Sequence, residues 1–246
     1  MAEVRAFFKE CGILILIGIL VRIIIFDLNY IPSPSMVPNL LPGDYIFTTK
    51  YSYGYSKYSI PFNLPIFQGK IFASVPERGD VIVFQPPHDL SSEKYIKRLI
   101  GLPGDMIQII DGQQIFINGV PLKREYIGKY LDKNGVEYEQ YFEILPNNVK
   151  YLTQFLAKRS RNIGHIAVFN VPENHYFFLG DNRDNSADSR FDMGYVHLDN
   201  FVSKARFIWF SAAKKIWPES NNILHIVSNI IPWVKSVRYE RFLQKI

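Results

Sequence analysis

Residues 107–119 read IQIIDGQQIFING. Two short runs rich in β-branched and aromatic residues, 107–110 and 114–117, flank Asp111-Gly112, and Asn118-Gly119 follows at once. Such Asx-Gly dipeptides favour the positive φ angles of tight hairpin turns, so 107–124 reads as a β-hairpin plus a second turn. The same signature recurs outward along the chain at 45–49 (YIFTT), 81–84 (VIVF) and 175–179 (HYFFL), each bounded by Gly, Pro, Asp or Asn. The pattern predicts a mostly β fold.

Composition agrees with that reading. The chain has 246 residues, 48% hydrophobic and 21% charged, which supports an ordered core and excludes whole-chain disorder. Its 19 Phe and 15 Tyr suit strands more than a helical bundle. The net charge of +5 is too diffuse to select nucleic acid or anionic lipid. Cys11 is the only cysteine, so intramolecular disulfides, thiolate metal clusters and CxxC redox chemistry are excluded.

The N-terminal stretch decides the compartment. Residues 11–26, CGILILIGILVRIIIF, carry one charge, Arg22. At 1.5 Å per residue this run alone falls short of the roughly 30 Å hydrocarbon slab. Extension through Ala6, Phe7 and Phe8 on one side and Leu28 on the other gives an expected membrane span over 6–28. Lys9, Glu10 and Arg22 then reach toward head groups. Arg5 and Lys9 precede the span, so the positive-inside rule puts the N-terminus in the cytoplasm and everything after residue 30 outside. A buried core helix and a cleaved leader compete with this reading. Ser33-Pro34-Ser35 is a small-x-small triplet, but proline fills its middle and the segment before the apolar run is nearly charge-balanced. An uncleaved anchor is the preferred reading.

Between about 123 and 165 the chain turns polar and tyrosine-rich, as an accessory insertion would. Residues 222–246, NILHIVSNIIPWVKSVRYERFLQKI, combine apolar residues with Lys235, Arg238, Arg241 and Lys245, and Pro232 interrupts any helix. This segment is either interfacial, lying on anionic lipid, or an ordinary terminal element packed on the core.

Three clusters carry chemistry. In 31–44, IPSPSMVPNLLPGD, prolines 32, 34 and 38 fix φ and point to a stiff extended loop that presents Ser33 and Ser35. A nucleophile needs such rigid presentation, although a juxtamembrane Ser/Pro linker has the same composition. In 95–105, YIKRLIGLPGD, Lys97 stands inside an apolar strand-like run with Arg98 alternating to the other face. A solvent-facing edge lysine is the ordinary explanation, whereas an inward lysine loses its charge preference and serves as a base. In 180–190, GDNRDNSADSR, the acidic residues lack EF-hand spacing, and Arg183 and Arg190 supply counter-charges. That loop reads as a buttress of paired side chains.

These clusters, in this order behind an N-terminal anchor, closely resemble the bacterial type I signal peptidases, the Ser/Lys membrane proteases of family S26. The family pattern matches at 33–40, 78–84, 95–105 and 180–190. By position, the resemblance implies that Ser35 is the nucleophile and Lys97 the general base. Ser33 and the Ser35 N–H match the oxyanion hole, and Ser186 the hydroxyl that orients the lysine. Arg98, Asp181, Asp188 and Arg190 match structural ion pairs. Ile31, Pro32, Met36, Leu40, Val83, Tyr95 and Ile96 match the shallow pockets for small P1 and P3 side chains. Asn39 stands where the family often has threonine and receives no chemical role. The five histidines lie outside these blocks, which disfavours a Ser-His-Asp triad.

The implied fold is a mostly β, antiparallel-sheet catalytic domain with an inserted β-rich subdomain, behind one transmembrane helix. Its expected divisions are a cytoplasmic N-terminus and anchor (1–30), catalytic core (31–105), inserted subdomain (106–170), catalytic core again (171–220) and a basic amphipathic C-terminal segment (221–246). The implied activity is removal of N-terminal signal peptides after a small-x-small motif, without metal or cofactor. The implied partners are signal-peptide-bearing preproteins, the lipid bilayer and the secretion translocon, not nucleic acid. The implied setting is the bacterial inner membrane, single-pass, with the catalytic domain on the periplasmic side. Self-cleaving repressors share the dyad but are soluble and carry a DNA-binding domain. A specialised pilus or conjugation peptidase stays open beside the general enzyme. So does a catalytically inactive, membrane-anchored binding module, against which Ser35, Lys97 and Ser186 argue.

Overall fold

The computed structural model describes residues 2–60, 63, 68–88, 93–158, 165–214 and 230–246. Helix α1 (Ala2–Ile24) precedes strands β1 (Phe26–Tyr30), β2 (Asp44–Thr49), β3 (Val81–Phe84) and β4 (Tyr95–Gly101). Then come β5 (Met106–Ile110), β6 (Gln114–Ile117), β7 (Val120–Pro121), β8 (Lys123–Leu131), β9 (Glu137–Ile144) and β10 (Lys150–Leu156). The chain ends with β11 (Ile166–Asn170), β12 (His175–Leu179), β13 (Val196–His197) and β14 (Phe201–Ser211). Among the described residues these strands build three antiparallel sheets, ordered β1-β2-β14-β3-β4-β12-β13, β11-β5-β6-β7 and β10-β9-β8.

All five strands read from the sequence are present. The turn dipeptides behave as their chemistry requires. Asp111 and Gly112 have φ of 52° and 64°, and Asn118 and Gly119 have 52° and 78°. These left-handed values belong to type I′ turns. Ile107, Ile109, Ile115 and Ile117 point inward from the hairpin and pack on Ile100, Phe177 and Leu179. Strand β3 is buried on both faces, which is why it reads as an unbroken apolar run. Val81 and Val83 join Ile31, Met36 and Leu40, while Ile82 and Phe84 join Leu99, Phe178 and Phe201. Strand β4 is paired with β3 on one side and β12 on the other; Arg98 has a partner on both flanks, and Lys97 beside it pairs with Ile82.

The polar, tyrosine-rich stretch forms the β8–β10 sheet, its residues 159–164 lying outside the described residues, and it is not detached from the core. Glu143 on β9 and Tyr151 on β10 are buried. Gln154 N donates to Asp181 O at 3.0 Å, and Arg183 N donates to Gln154 O at 2.9 Å. The insertion therefore braces the 180–190 loop.

The N-terminal expectation needs correction. Helix α1 stops at Ile24, and residues 26–30 form β1, paired in register with β2. The span expected over 6–28 is therefore not one helix, and β1 belongs to the seven-stranded sheet. No helix among the described residues is long and apolar enough to cross a membrane. Between Glu10 and Arg22 the uncharged run covers about 16 Å at helical rise, half a hydrocarbon slab. The end of α1 is docked: Lys50 Nζ donates to Ile23 O at 3.2 Å and Tyr55 OH to Ile24 O at 2.7 Å.

The C-terminal segment lies outside the described residues up to 229. From residue 230 onward it packs on the main sheet. Trp233 and Phe242 rings sit 5.7 and 5.3 Å from Phe210, and Ile246 packs against the Met36 cluster. Arg238 and Arg241 both pair with the buried Asp44, at 3.2 and 2.7 Å. Two of the four basic residues of this segment thus pair with an internal carboxylate, as in the reading of an ordinary terminal element packed on the core.

Candidate active site

The stiff loop read from the prolines closes into one 3-10 turn, Pro34–Met36. Pro34 opens it, where its missing N–H breaks no bond and its fixed φ suits the turn. Ser33 precedes it in extended conformation. Met36 is wholly buried with Leu40 and Ile31, and this apolar anchor holds Ser35 in place. The Ser35 N–H sits in the first turn, where backbone donors have no intrahelical acceptor.

Strand β4 delivers Lys97 to this turn. Lys97 Nζ donates to Ser35 Oγ at 2.7 Å, and Ser33 Oγ lies 3.3 Å from Ser35 Oγ. Burial pushes the Lys97 pKa down to about 8, while the Asp188 and Asp181 carboxylates oppose the shift. Desolvation wins because neither carboxylate touches the amine, so the amine is held toward its neutral, proton-accepting form.

The expected support residues form two bidentate ion pairs. Arg98 Nε and Nη2 each donate to Asp181 at 2.8 Å, and Arg98 Nη1 donates to Gly79 O at 2.9 Å. Arg190 Nε and Nη2 each donate to Asp188 at 2.8 Å, and Gly180 N donates to Asp188 at 2.9 Å. Guanidinium groups fill the acidic loop that sequence alone compared with a calcium site. Behind them Arg183 Nη1 donates to Glu143 at 2.8 Å, and Tyr151 OH donates to the same carboxylate at 2.9 Å.

Ser186 is placed differently from expectation. Its Oγ is buried and has no hydrogen-bond partner, so it makes no bond to Lys97 in this structure. It packs on Gly180 instead. A Cβ at Gly180 would stand 2.2 Å from Ser186 Oγ and 2.6 Å from Ser35 O.

A cleft of about 340 Å³ opens on Ser35 and Lys97. Ile31, Pro32, Val83, Tyr95 and Ile96 line it, as do Asn29 and Tyr30 of β1 and Lys94. Met36 and Leu40, also read as pocket residues, lie off its wall; they are fully buried in the cluster that backs Ile31, Val83 and Ile96.

Sequence reasoning missed several contributors. Asn182 N donates to Ser35 O at 3.0 Å and its Nδ2 to Pro34 O at 3.1 Å, clamping the turn. Asn39, given no role, bonds to Asp181 at 2.7 Å. Asn182 and Gly180 lay inside a quoted motif, so their block was a usable signal. Glu143 and Tyr151 had none, because only folding brings the insertion behind the loop.

A lysine amine of lowered pKa bonded to one serine hydroxyl, with a second serine hydroxyl beside it, suits nucleophilic attack on a carbonyl. Comparison with known proteins gives the same class. The family model described as "Signal peptidase, peptidase S26" matches residues 4–210. A signal peptidase I of Rickettsia massiliae (strain Mtu5) is 46% identical over 239 residues, covering 94% of this chain and 89% of that protein. A signal peptidase I of Rickettsia typhi (strain ATCC VR-144 / Wilmington) is 44% identical over 250 residues, covering 99% and 94%. A solved signal peptidase I from Enterococcus faecalis V583 is 29% identical at a TM-score of 0.35, covering 97% of that chain and only 53% of this one. On the family match and the near-complete coverage of these relatives, the chain belongs to the peptidase S26 family of signal peptidases, which are serine endopeptidases.

Proposed function

We propose that this chain removes signal peptides from exported preproteins with Ser35 as nucleophile and Lys97 as general base. The observation that carries the roles is the 2.7 Å contact between a buried lysine amine and a serine hydroxyl at the mouth of a cleft. Neutral Lys97 takes the Ser35 proton as Oγ attacks the scissile carbonyl. The Ser35 N–H and the Ser33 hydroxyl receive the developing oxyanion, worth about 3 kcal/mol per donor. The ammonium then protonates the leaving amine, and the regenerated base activates the water that releases the acyl group. Ser186 is the candidate to orient the amine. A buried hydroxyl without a partner is costly, and taking the Lys97 amine as partner removes that cost.

Ile31, Val83, Tyr95 and Ile96 supply the apolar wall against which small P1 and P3 side chains pack. A membrane anchor in α1 is supported by its exposed apolar surface, since Phe7, Phe8, Leu14 and Ile15 are each more than 60% exposed. Head-group contact by Lys9, Glu10 and Arg22 extends the short apolar run toward a bilayer span. The catalytic domain then lies on the outer face, where the cleft meets a precursor just past its apolar segment.

The test is cleavage of a preprotein by the full chain in detergent. Ser35→Ala and Lys97→Ala are each expected to abolish cleavage while staying folded, because the two act as one unit. Replacing the P1 alanine by phenylalanine is expected to nearly stop it. Substantial turnover by either dyad variant overturns the assignment.

A further inference from the structure

We propose that Asn39 is a positioning residue that ties the turn carrying Ser35 to the ion pair beside Lys97. This deepens the Ser35–Lys97 reading and rests on it. The Asn39 amide nitrogen donates to Asp181 Oδ2 at 2.7 Å and to Leu152 O at 2.7 Å. Both partners are pure acceptors, so both N–H groups of the carboxamide are used and its orientation is determined. Asp181 Oδ2 also accepts from Arg98 Nη2 at 2.8 Å, and Arg98 follows Lys97 on β4. On the other side Arg241 Nη2 donates to Asn39 O at 2.8 Å. One residue therefore joins the nucleophile loop, β10, the 180–190 loop and the C-terminal segment.

The position has an electrostatic consequence. Lys97 is faced by Asp188 and Asp181 from the loop and by the Tyr95 ring on its own strand. Asp181 is faced in turn by Arg98 from β4, Arg183 from its own loop and Tyr151 from β10. The Asn39 donor draws charge density on Asp181 toward itself. Without it, more of the carboxylate field falls on the Lys97 amine and favours the ammonium.

The experiment measures kcat and KM against pH for the full chain on a peptide spanning a signal-peptide cleavage site. Asn39→Ala removes both donors, Asn39→Thr keeps one, and Asn39→Asp sets a second carboxylate against Asp181. For Asn39→Ala we expect kcat to fall about tenfold with KM within about twofold. Its rising limb of kcat/KM should move up by about half a pH unit. Asn39→Asp should move the limb further the same way, and Asn39→Thr should fall between. A merely structural role lowers melting temperature and leaves the limb in place. Folded Asn39→Ala with wild-type kcat and an unmoved limb overturns the proposal. If Asn39→Ala does not fold, the limbs of Asn39→Thr and Asn39→Asp decide it, and coincidence with wild type overturns it equally. Ser35→Ala and Lys97→Ala run alongside. Activity in either sinks the dyad, whereas inert dyad variants with unmoved Asn39 limbs sink only the role of Asn39.

Discussion

Lys97 Nζ meets Ser35 Oγ at 2.7 Å although 62 positions separate the two residues. The contact exists because β4 is held on both flanks while Met36 anchors the turn in the core beside it. The burial that lowers the Lys97 pKa then has two measurable consequences. In kcat/KM, activity rises with pH through about 8, the value to which burial lowers Lys97. A histidine base would place that limb near ~6.5 instead. Limb position on a non-titrating peptide checks this.

The same burial opposes folding. Lys97 is lowered from 10.5 to about 8, so below pH 8 the unfolded chain holds the proton more favourably, and the penalty fades as pH rises toward 10.5. Lys97→Met, inactive, is therefore expected to be more stable than wild type at pH 7 by up to about 3 kcal/mol. The advantage should vanish above about pH 11, past the unfolded pKa. Denaturant melts at the two pH values test the sign.

Gly180→Ala tests the packing behind Ser35. The added Cβ meets Ser186 Oγ at 2.2 Å and the Ser35 carbonyl at 2.6 Å, and a carbonyl cannot rotate away. The turn must move. Displacement of a nucleophile by about 1 Å can cost about a hundredfold in rate, so kcat is expected to collapse while the overpacked fold loses only about 1–3 kcal/mol. Circular dichroism melts and single-turnover rates separate the two effects.

Asp44 is wholly buried and holds both Arg238 and Arg241. Replacing both arginines by alanine leaves a buried carboxylate without its cations, which costs about 3–5 kcal/mol. We expect a drop in melting temperature of about 6–20 °C for a chain of this size. Adding Asp44→Asn to the double variant should restore part of it, because the orphaned charge is gone. Failure of that rescue would remove the charge argument.

A shortened chain starting at residue 25 should keep the seven-stranded sheet and cleave peptides. One starting at residue 31 loses β1, which pairs with β2 from Phe26↔Thr49 to Tyr30↔Tyr45 and supplies Asn29 and Tyr30 to the cleft. It should aggregate through the bared β2 edge and lose activity. Size-exclusion profiles and peptide cleavage of the two chains compare them directly.

By itself the sequence determined the local features of this protein. The Asx-Gly turns, the five strands from Tyr45 to Leu179 and the motif blocks around Ser35, Lys97 and Ser186 are written in neighbouring residues, where φ preference and alternation act. Tertiary structure decided the rest. A free energy balance between distant surfaces ended the helix at Ile24 and gave residues 26–30 to the sheet. It turned Met36 and Leu40 from pocket wall to core, because their apolar side chains gain more from the cluster with Ile31 and Val83 than from a cleft. It also brought Glu143, Tyr151 and Asn39 against the 180–190 loop, where buried charges require partners. A sequence pattern specifies what each segment prefers. Which side chains share a desolvated site depends on how those segments pack, and that is a property of the whole fold.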